Sequence, residues 1–272
     1  MITKRFIEKF KSGQYMFGTL LTAASPKWIE MIADLDLDCV FIDLEHFPTD
    51  WTNLNWMCQL CRAYDLPAIV RIPSADPFEA CRVLDMGAAG IVAAYIETPE
   101  QVQALRSAAK LRPIKGKKLT DVLSGHESFD NDMNRYIKTF NKDHVLLVNI
   151  ESTAALDRLD DILAVPDLDG VLIGPHDLSC SLGVPEQYDH PRFEKAVLSI
   201  IKKVRKKRLG VGMHNLPETA QDIKYGRAGV NLILRLADIT LFRNALRHDL
   251  SKILKGLHLN VSSDKSDKNL II

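Results

Sequence analysis

Eight short runs rich in Val, Ile and Leu alternate with segments that open on helix-start signals, and only brief turns separate them. The runs are continuously apolar rather than alternating in polarity, as parallel strands buried on both faces are. Together these observations predict the α/β class and, within it, a TIM (β/α)8 barrel. A doubly wound open sheet is the rival. However, no glycine fingerprint follows the first run, and eight units close a barrel without remainder.

The elements follow in order. The opening MITKRFIEKFKSG is amphipathic and predicts an extra N-terminal helix that closes the bottom of the barrel. Strands are expected at FGTLLT (17–22), CVFIDL (39–44), PAIVRI (67–72) and GIVAAYI (90–96). Four more are expected at HVLLVNI (144–150), GVLIG (170–174), VGM (211–213) and VNLILRL (230–236). Between them, Ser25-Pro26 and Asp76-Pro77 each set an N-cap before a first-turn proline. Thr98-Pro99-Glu100-Gln101 spells a capping box, and Asp50 caps a helix that begins at Trp51. The segment 111–132, LRPIKGKKLTDVLSGHESFDND, is the longest interruption without a strand pattern, which makes it a candidate lid. The basic run Lys202–Lys207 reads as the solvated C-terminal end of a helix, where cations suit the dipole. One domain, 1–259, is expected, followed by a flexible, disordered polar tail at 260–272.

Composition narrows the function. With 46% hydrophobic and 26% charged residues, the 272-residue chain can bury an ordinary core. Lys plus Arg and Asp plus Glu both number 35, so the net charge is zero, which argues against nucleic acid as the main partner. No run of 18 apolar residues predicts a membrane span, and the N-terminus lacks a signal-peptide pattern. Five scattered cysteines in apolar surroundings suit a reducing, cytoplasmic setting. Cys58 and Cys61 form a lone CxxC inside a helical pattern, which reads as helix packing rather than a zinc site.

The run Cys39, Val40, Phe41, Ile42 ends abruptly in Asp43, Glu45 and His46. Core strands do not normally finish in charge, but barrel strands deliver active-site groups at their C-terminal ends. Other strand ends add Arg71, Glu151, the run Gly174-Pro175-His176-Asp177, and His214-Asn215. Two carboxylates with open neighbouring positions favour a hard divalent cation such as Mg²⁺ or Mn²⁺. An arginine offers a fork for a carboxylate or enolate, and a histidine can move a proton near neutral pH. The set suits proton abstraction next to a carbonyl, or release of an enolate by carbon–carbon cleavage. Each residue also has a plainer reading. Glu45 could be a salt-bridging group, Arg71 a brace at the rim, and Asp177 an N-cap. Asp85 reads as an ordinary helix-terminal residue.

The pieces GTLLTAASP (18–26), FIDLEHFPTD (41–50), VRIP (70–73), LDMGAAGI (84–91), NIES (149–152) and IGPHDLSCSLG (173–183) occur in one order across about positions 13 to 256. In this the chain resembles the HpcH/HpaI aldolases, metal-dependent class II pyruvate aldolases that include 2-dehydro-3-deoxyglucarate aldolase. The resemblance implies a lyase in which Glu151 and Asp177 ligate the divalent cation (Mg²⁺, Mn²⁺ or Co²⁺). It implies that Arg71 stabilises the developing enolate, that His46 is the base at the 4-hydroxyl, and that Asp85 raises the basicity of His46, with Asp43 the alternative. Asn149, Gly174, His176 and Asp177 would contact a 2-oxo acid, pyruvate, beside an aldehyde or oxo-acid acceptor. Relatives are homo-oligomers, commonly hexamers built as trimers of dimers. Departures fall on the acceptor side. Asn149 stands where glutamine is usual, His176 where a small residue is, and Ala93-Ala94 where Val-Pro is. LRPIKGKKL (111–119) lacks the usual Arg-Gly, so Lys115, Lys117 and Lys118 are expected to meet the second substrate. Two alternatives stay open. One is an enolate-condensing, citrate-forming synthase of the kind used in siderophore assembly. The other is a non-catalytic barrel that binds metal and oxo acid. Nothing in the sequence recruits a CoA moiety.

Overall fold

Along each strand, successive side chains enter two different apolar cores, which is why the runs carry no polar alternation. The computed structural model describes residues 2–47 and 49–259. Its strands are β1 (Met16–Leu20), β2 (Cys39–Asp43), β3 (Ala68–Ile72), β4 (Gly90–Ala93), β5 (Val145–Ile150), β6 (Gly170–Ile173), β7 (Gly210–His214) and β8 (Leu232–Ala237). All pair in parallel in chain order, and β8 returns to β1, so the sheet is a closed barrel. Met16, Phe41, Ile69, Leu147, Leu172 and Leu234 fill the barrel interior. Val40, Val70, Ile91, Val148, Val171 and Val211 face outward beneath the helices.

The helices are α1 (Ile2–Ser12), α2 (Pro26–Ala33), α3 (Trp51–Ala63), α4 (Pro77–Asp85), α5 (Pro99–Lys110), α6 (Gly116–Leu123) and α7 (Asn131–Phe140). After β5 come α8 (Thr153–Asp157), α9 (Leu159–Ile162), α10 (Pro175–Ser181), α11 (Pro191–Lys206), α12 (Thr219–Ala228) and α13 (Asp238–Gly256). Asp50 caps α3 by accepting from the Asn53 amide, Asp76 caps α4 by accepting from Phe78, and Thr98 with Gln101 completes a capping box. Ser25 makes no side-chain cap bond, so α2 starts on the fixed dihedral of Pro26 alone. Cys58 and Cys61 are buried in α3, as helix packing requires.

The N-terminal helix does close the barrel bottom. Phe6 and Phe10 are buried, and the Phe10 ring lies where a Cβ at Gly170 or Gly210 would sit, 2.4 and 2.3 Å away. Asn231 ties the plug down, its Nδ2 donating to the carbonyls of Phe10 and Gln14 at 2.9 and 3.1 Å.

The lid expectation for 111–132 is corrected. The segment carries α6 and the first residues of α7, and it lies within the connection from α5 to β5. A helix-to-strand connection returns to the N-terminal ends of the strands, the face opposite a barrel's active site. Asn141 fastens it there by donating to the carbonyls of Lys110 and Arg112 at 3.2 and 2.8 Å, and Lys110 reaches Asp169 at 2.6 Å. Lys115, Lys117 and Lys118 therefore lie away from the mouth of their own barrel. The tail expected at 260–272 lies outside the described residues.

Candidate active site

Where β2 leaves the core, its last residue is the almost fully buried Asp43. On the neighbouring strand Arg71 is its register partner and is equally buried. Arg71 donates from Nε to Asp43 Oδ1 at 2.7 Å and from Nη2 to Oδ2 at 2.6 Å, a bidentate pair. Burial works to raise the Asp43 carboxyl, but the Arg71 bonds and charge win and hold it below its ordinary value. Burial likewise opposes the Arg71 charge, and Asp43, Glu45 and Glu151 more than restore it. Arg71 Nη1 faces Glu45 Oε2 at 3.1 Å, so the guanidinium is locked in place.

Glu45 also reaches His46, whose Nε2 lies 3.9 Å from Glu45 Oε2. The imidazole is nearly half exposed at the mouth while the glutamate is buried. Asp85 does not join them. It ends α4, is 63% exposed and pairs with Arg112. The distal end of a helix that follows a barrel strand lies at the opposite face. Among the described residues, Glu45 is in reach of His46 and Asp43 feels its charge.

Glu151, just past β5, is held by two donors. The Tyr95 amide donates to Oε1 at 2.8 Å, and Asn149 Nδ2 donates to Oε2 at 2.7 Å. Tyr95 adopts a left-handed φ of 55°, an unfavourable conformation for a tyrosine that here turns its N–H onto Glu151. Gly174 makes room, because a Cβ there would sit 2.7 Å from Glu151 Oε2. Burial raises the Glu151 carboxyl, its two donors offset part of this, and the charges of Asp177 and Glu45 add to the rise. Glu45 also lifts the Tyr95 phenol above its ordinary value.

Asp177 stands in the first turn of α10, next to His176, whose Nδ1 is 3.8 Å from Glu186 Oε1. His46, Arg71, Gly174, His176, Asp177 and His214 line one open cavity of about 860 Å³. His214 stacks on Phe41 at 5.7 Å, and its enclosed Nε2 has no hydrogen-bond partner among the described residues. Burial, with the Arg71 charge, pushes its pKa down to about 3, so the ring is neutral.

A divalent cation fits the carboxylates present. Glu151 carries excess negative surroundings, and Gly174 leaves space beside its Oε2. No trio of His, Cys, Asp or Glu positioned for a metal occurs among the described residues. Two carboxylates alone suit a hard ion that keeps several waters.

Sequence reading singled out Asp43, His46, Arg71, Glu151 and Asp177, and the structure puts each of them in or within four residues of the C-terminal end of a strand. It missed the backbone role of Tyr95 and the contribution of α13, whose Thr240, Arg243, Asn244 and Arg247 also line the cavity. Their spacing of three, one and three residues marks a single helix face, a signal present in the sequence but outside any strand end.

The comparisons bear on this geometry. A sequence model of the HpcH/HpaI aldolase/citrate lyase family matches residues 16–236. The 2-keto-3-deoxy-L-rhamnonate aldolase of Shigella boydii is 28% identical over 257 residues, covering 94% of this chain and 95% of that protein. The hydroxypyruvate/pyruvate aldolase of Roseobacter denitrificans is 32% identical over 199 residues, 73% of this chain and 77% of that one. The crystal structure of an HpcH/HpaI aldolase/citrate lyase family protein from Burkholderia cenocepacia superposes with a TM-score of 0.77 at 26% identity, covering 92% of this chain and 99% of that chain. With its barrel, its mouth and these relatives in agreement, the chain belongs to the HpcH/HpaI aldolase/citrate lyase family and is a lyase.

Proposed function

We propose that this lyase is a pyruvate aldolase that cleaves or forms 2-oxo-4-hydroxy acids, with a divalent cation (Mg²⁺, Mn²⁺ or Co²⁺) held by Glu151 and Asp177. The observation that carries this reading is the locked Arg71 guanidinium facing the same cavity as His46 and Asp177, with Glu151 alongside. When bound, the cation would supply Lewis-acid polarisation of a 2-oxo acid. Arg71, fixed by Asp43 and Glu45, presents positive charge where the keto oxygen becomes an enolate oxygen. The amides of His176 and Asp177, in the first turn of α10, have no acceptor one turn earlier and suit the substrate carboxylate. His46 takes the proton of the 4-hydroxyl, and Glu45 Oε2 lies 3.9 Å from its Nε2. On this reading the carboxylate beside His46 within one chain is Glu45, with Asp43 behind it, rather than Asp85.

The same proposal includes a homo-oligomer. Ile239, Phe242, Leu246, Leu250 and Ile253 on α13, and Leu257 at its C-cap, are exposed and recur every three or four residues. Such a stripe on a helix is covered by another apolar surface. On β1, which pairs with β8, Phe17 is half accessible, where a barrel helix would normally lie.

A pyruvate-release assay over a panel of 2-oxo-4-hydroxy acids, with and without each ion, tests the activity. Chelation is expected to abolish release, and Mg²⁺, Mn²⁺ or Co²⁺ to restore it. Undiminished turnover by the metal-stripped protein would sink the class II reading.

A further inference from the structure

We infer that Arg243 on α13 is a specificity residue that binds an anionic group at the far end of the second substrate, a terminal carboxylate or phosphate. This rests on the aldolase reading above and adds the chemistry of the acceptor. α13 runs for 19 residues and is almost wholly exposed, yet Arg243 is partly withdrawn from solvent. Its Nε is enclosed and has no hydrogen-bond partner among the described residues. An enclosed guanidinium donor without a partner is costly, and it is relieved by an acceptor arriving from outside.

The position selects the occupant. Arg243 faces the cavity that His46 and Arg71 enter from the β2 and β3 side, together with Thr240, Asn244 and Arg247 from its own helix. The two arginines lie four residues apart and so share one face of α13. Arg71 is committed to Asp43 and Glu45, and the carboxylates of Glu151 and Asp177 are on the metal side. That leaves the α13 face to meet the part of the substrate beyond the bond that breaks. A planar fork matches a carboxylate or phosphate in two parallel hydrogen bonds. Glu186 and Glu218 line the same cavity, which would suit a cationic acceptor instead. However, Glu186 lies 3.8 Å from His176, whereas Arg243 Nε has no internal acceptor.

The test compares pyruvate release from 2-oxo-4-hydroxy acids of matched length that end in a methyl, a carboxylate or a phosphate. Wild type, Arg243→Gln and Arg243→Lys are measured with the full chain and added Mg²⁺. For one or both anionic tails, Arg243→Gln is expected to lower kcat/KM about tenfold to a hundredfold, mostly through KM, as loss of a charge-assisted hydrogen bond predicts. The methyl-ended substrate should change less than threefold, and Arg243→Lys should recover part of the loss. The tail that responds identifies carboxylate or phosphate. Pyruvate–proton exchange, which needs no acceptor, serves as the separate check. Exchange absent in wild type overturns the aldolase reading. Intact exchange with the same loss for all three tails, or none for any, overturns the role of Arg243.

Discussion

Asp43 and Arg71 show how a single buried pair organises this site. Each charge alone would be costly in the core, and the bidentate geometry removes that cost while fixing the guanidinium plane. Breaking it one-sidedly, as in Asp43→Asn, leaves Arg71 under-compensated and is expected to weaken both stability and enolate formation. On the proposed mechanism His46 belongs to a different step. His46→Ala is expected to slow aldol cleavage by about 10²–10⁴-fold while pyruvate–proton exchange in deuterated buffer falls far less. Equal losses in the two reactions would assign the histidine to the enolate instead. His214 gives a pH signature. Its folded-state pKa, about 3, lies below the ordinary histidine value, so below about 6.5 the unfolded chain binds a proton that the folded chain does not. Stability therefore falls as pH drops from about 6.5 toward the folded value, by on the order of 1 kcal/mol per unit. Urea midpoints measured at pH 7 and pH 5 should differ less in His214→Phe than in wild type. An unchanged difference would mean that the ring is not kept neutral by burial.

At the scale of elements, α1 is the clearest case of a helix whose value lies in one side chain. Phe10 fills the bottom of the barrel against two glycines that tolerate no Cβ beside it. Phe10→Ala should cost about 3–5 kcal/mol in chemical denaturation, because the cavity lies between backbones that cannot collapse. A loss below 1 kcal/mol would show that α1 is an ornament rather than a plug. The segment with α6 and α7 makes the opposite point. It is built and fastened at the bottom face through Asn141 and Lys110. Replacing Lys115, Lys117 and Lys118 together with Ala should leave the KM of the aldol substrate unchanged in an isolated barrel.

For the whole molecule, α13 carries two faces with different fates. The Arg243 face looks into the mouth, and the stripe from Ile239 to Leu257 looks at nothing within the described chain. Leu246→Asp with Leu250→Asp should lower the mass measured by light scattering to that of one or two chains. An unchanged mass would place the assembly surface elsewhere. No helix among the described residues is long and apolar enough to cross a membrane, so this stripe is not a span.

What the chain alone determined is whatever depends on local order. The eight apolar runs, their proline and Asp caps, and the helix plug were legible because burial on both faces and capping leave marks within a few residues. The positions of Asp43, His46, Arg71, Glu151 and Asp177 at or just beyond strand ends were legible for the same reason, since charge beside a core strand violates the local pattern. Only the tertiary structure decided who stands beside whom. Asp85, which the resemblance set beside His46, ends α4 and pairs with Arg112 in this chain, whereas Glu45 is the chain neighbour of His46 and its contact. The lysines of 111–132 could be assigned to the mouth or the bottom only once the direction of their connection was known. Arg243 lies nearly two hundred residues from His46 in sequence, and closure of β8 onto β1 brings its helix to the same cavity. Such neighbours are fixed by the closing of the barrel, a condition that no local stretch of residues encodes.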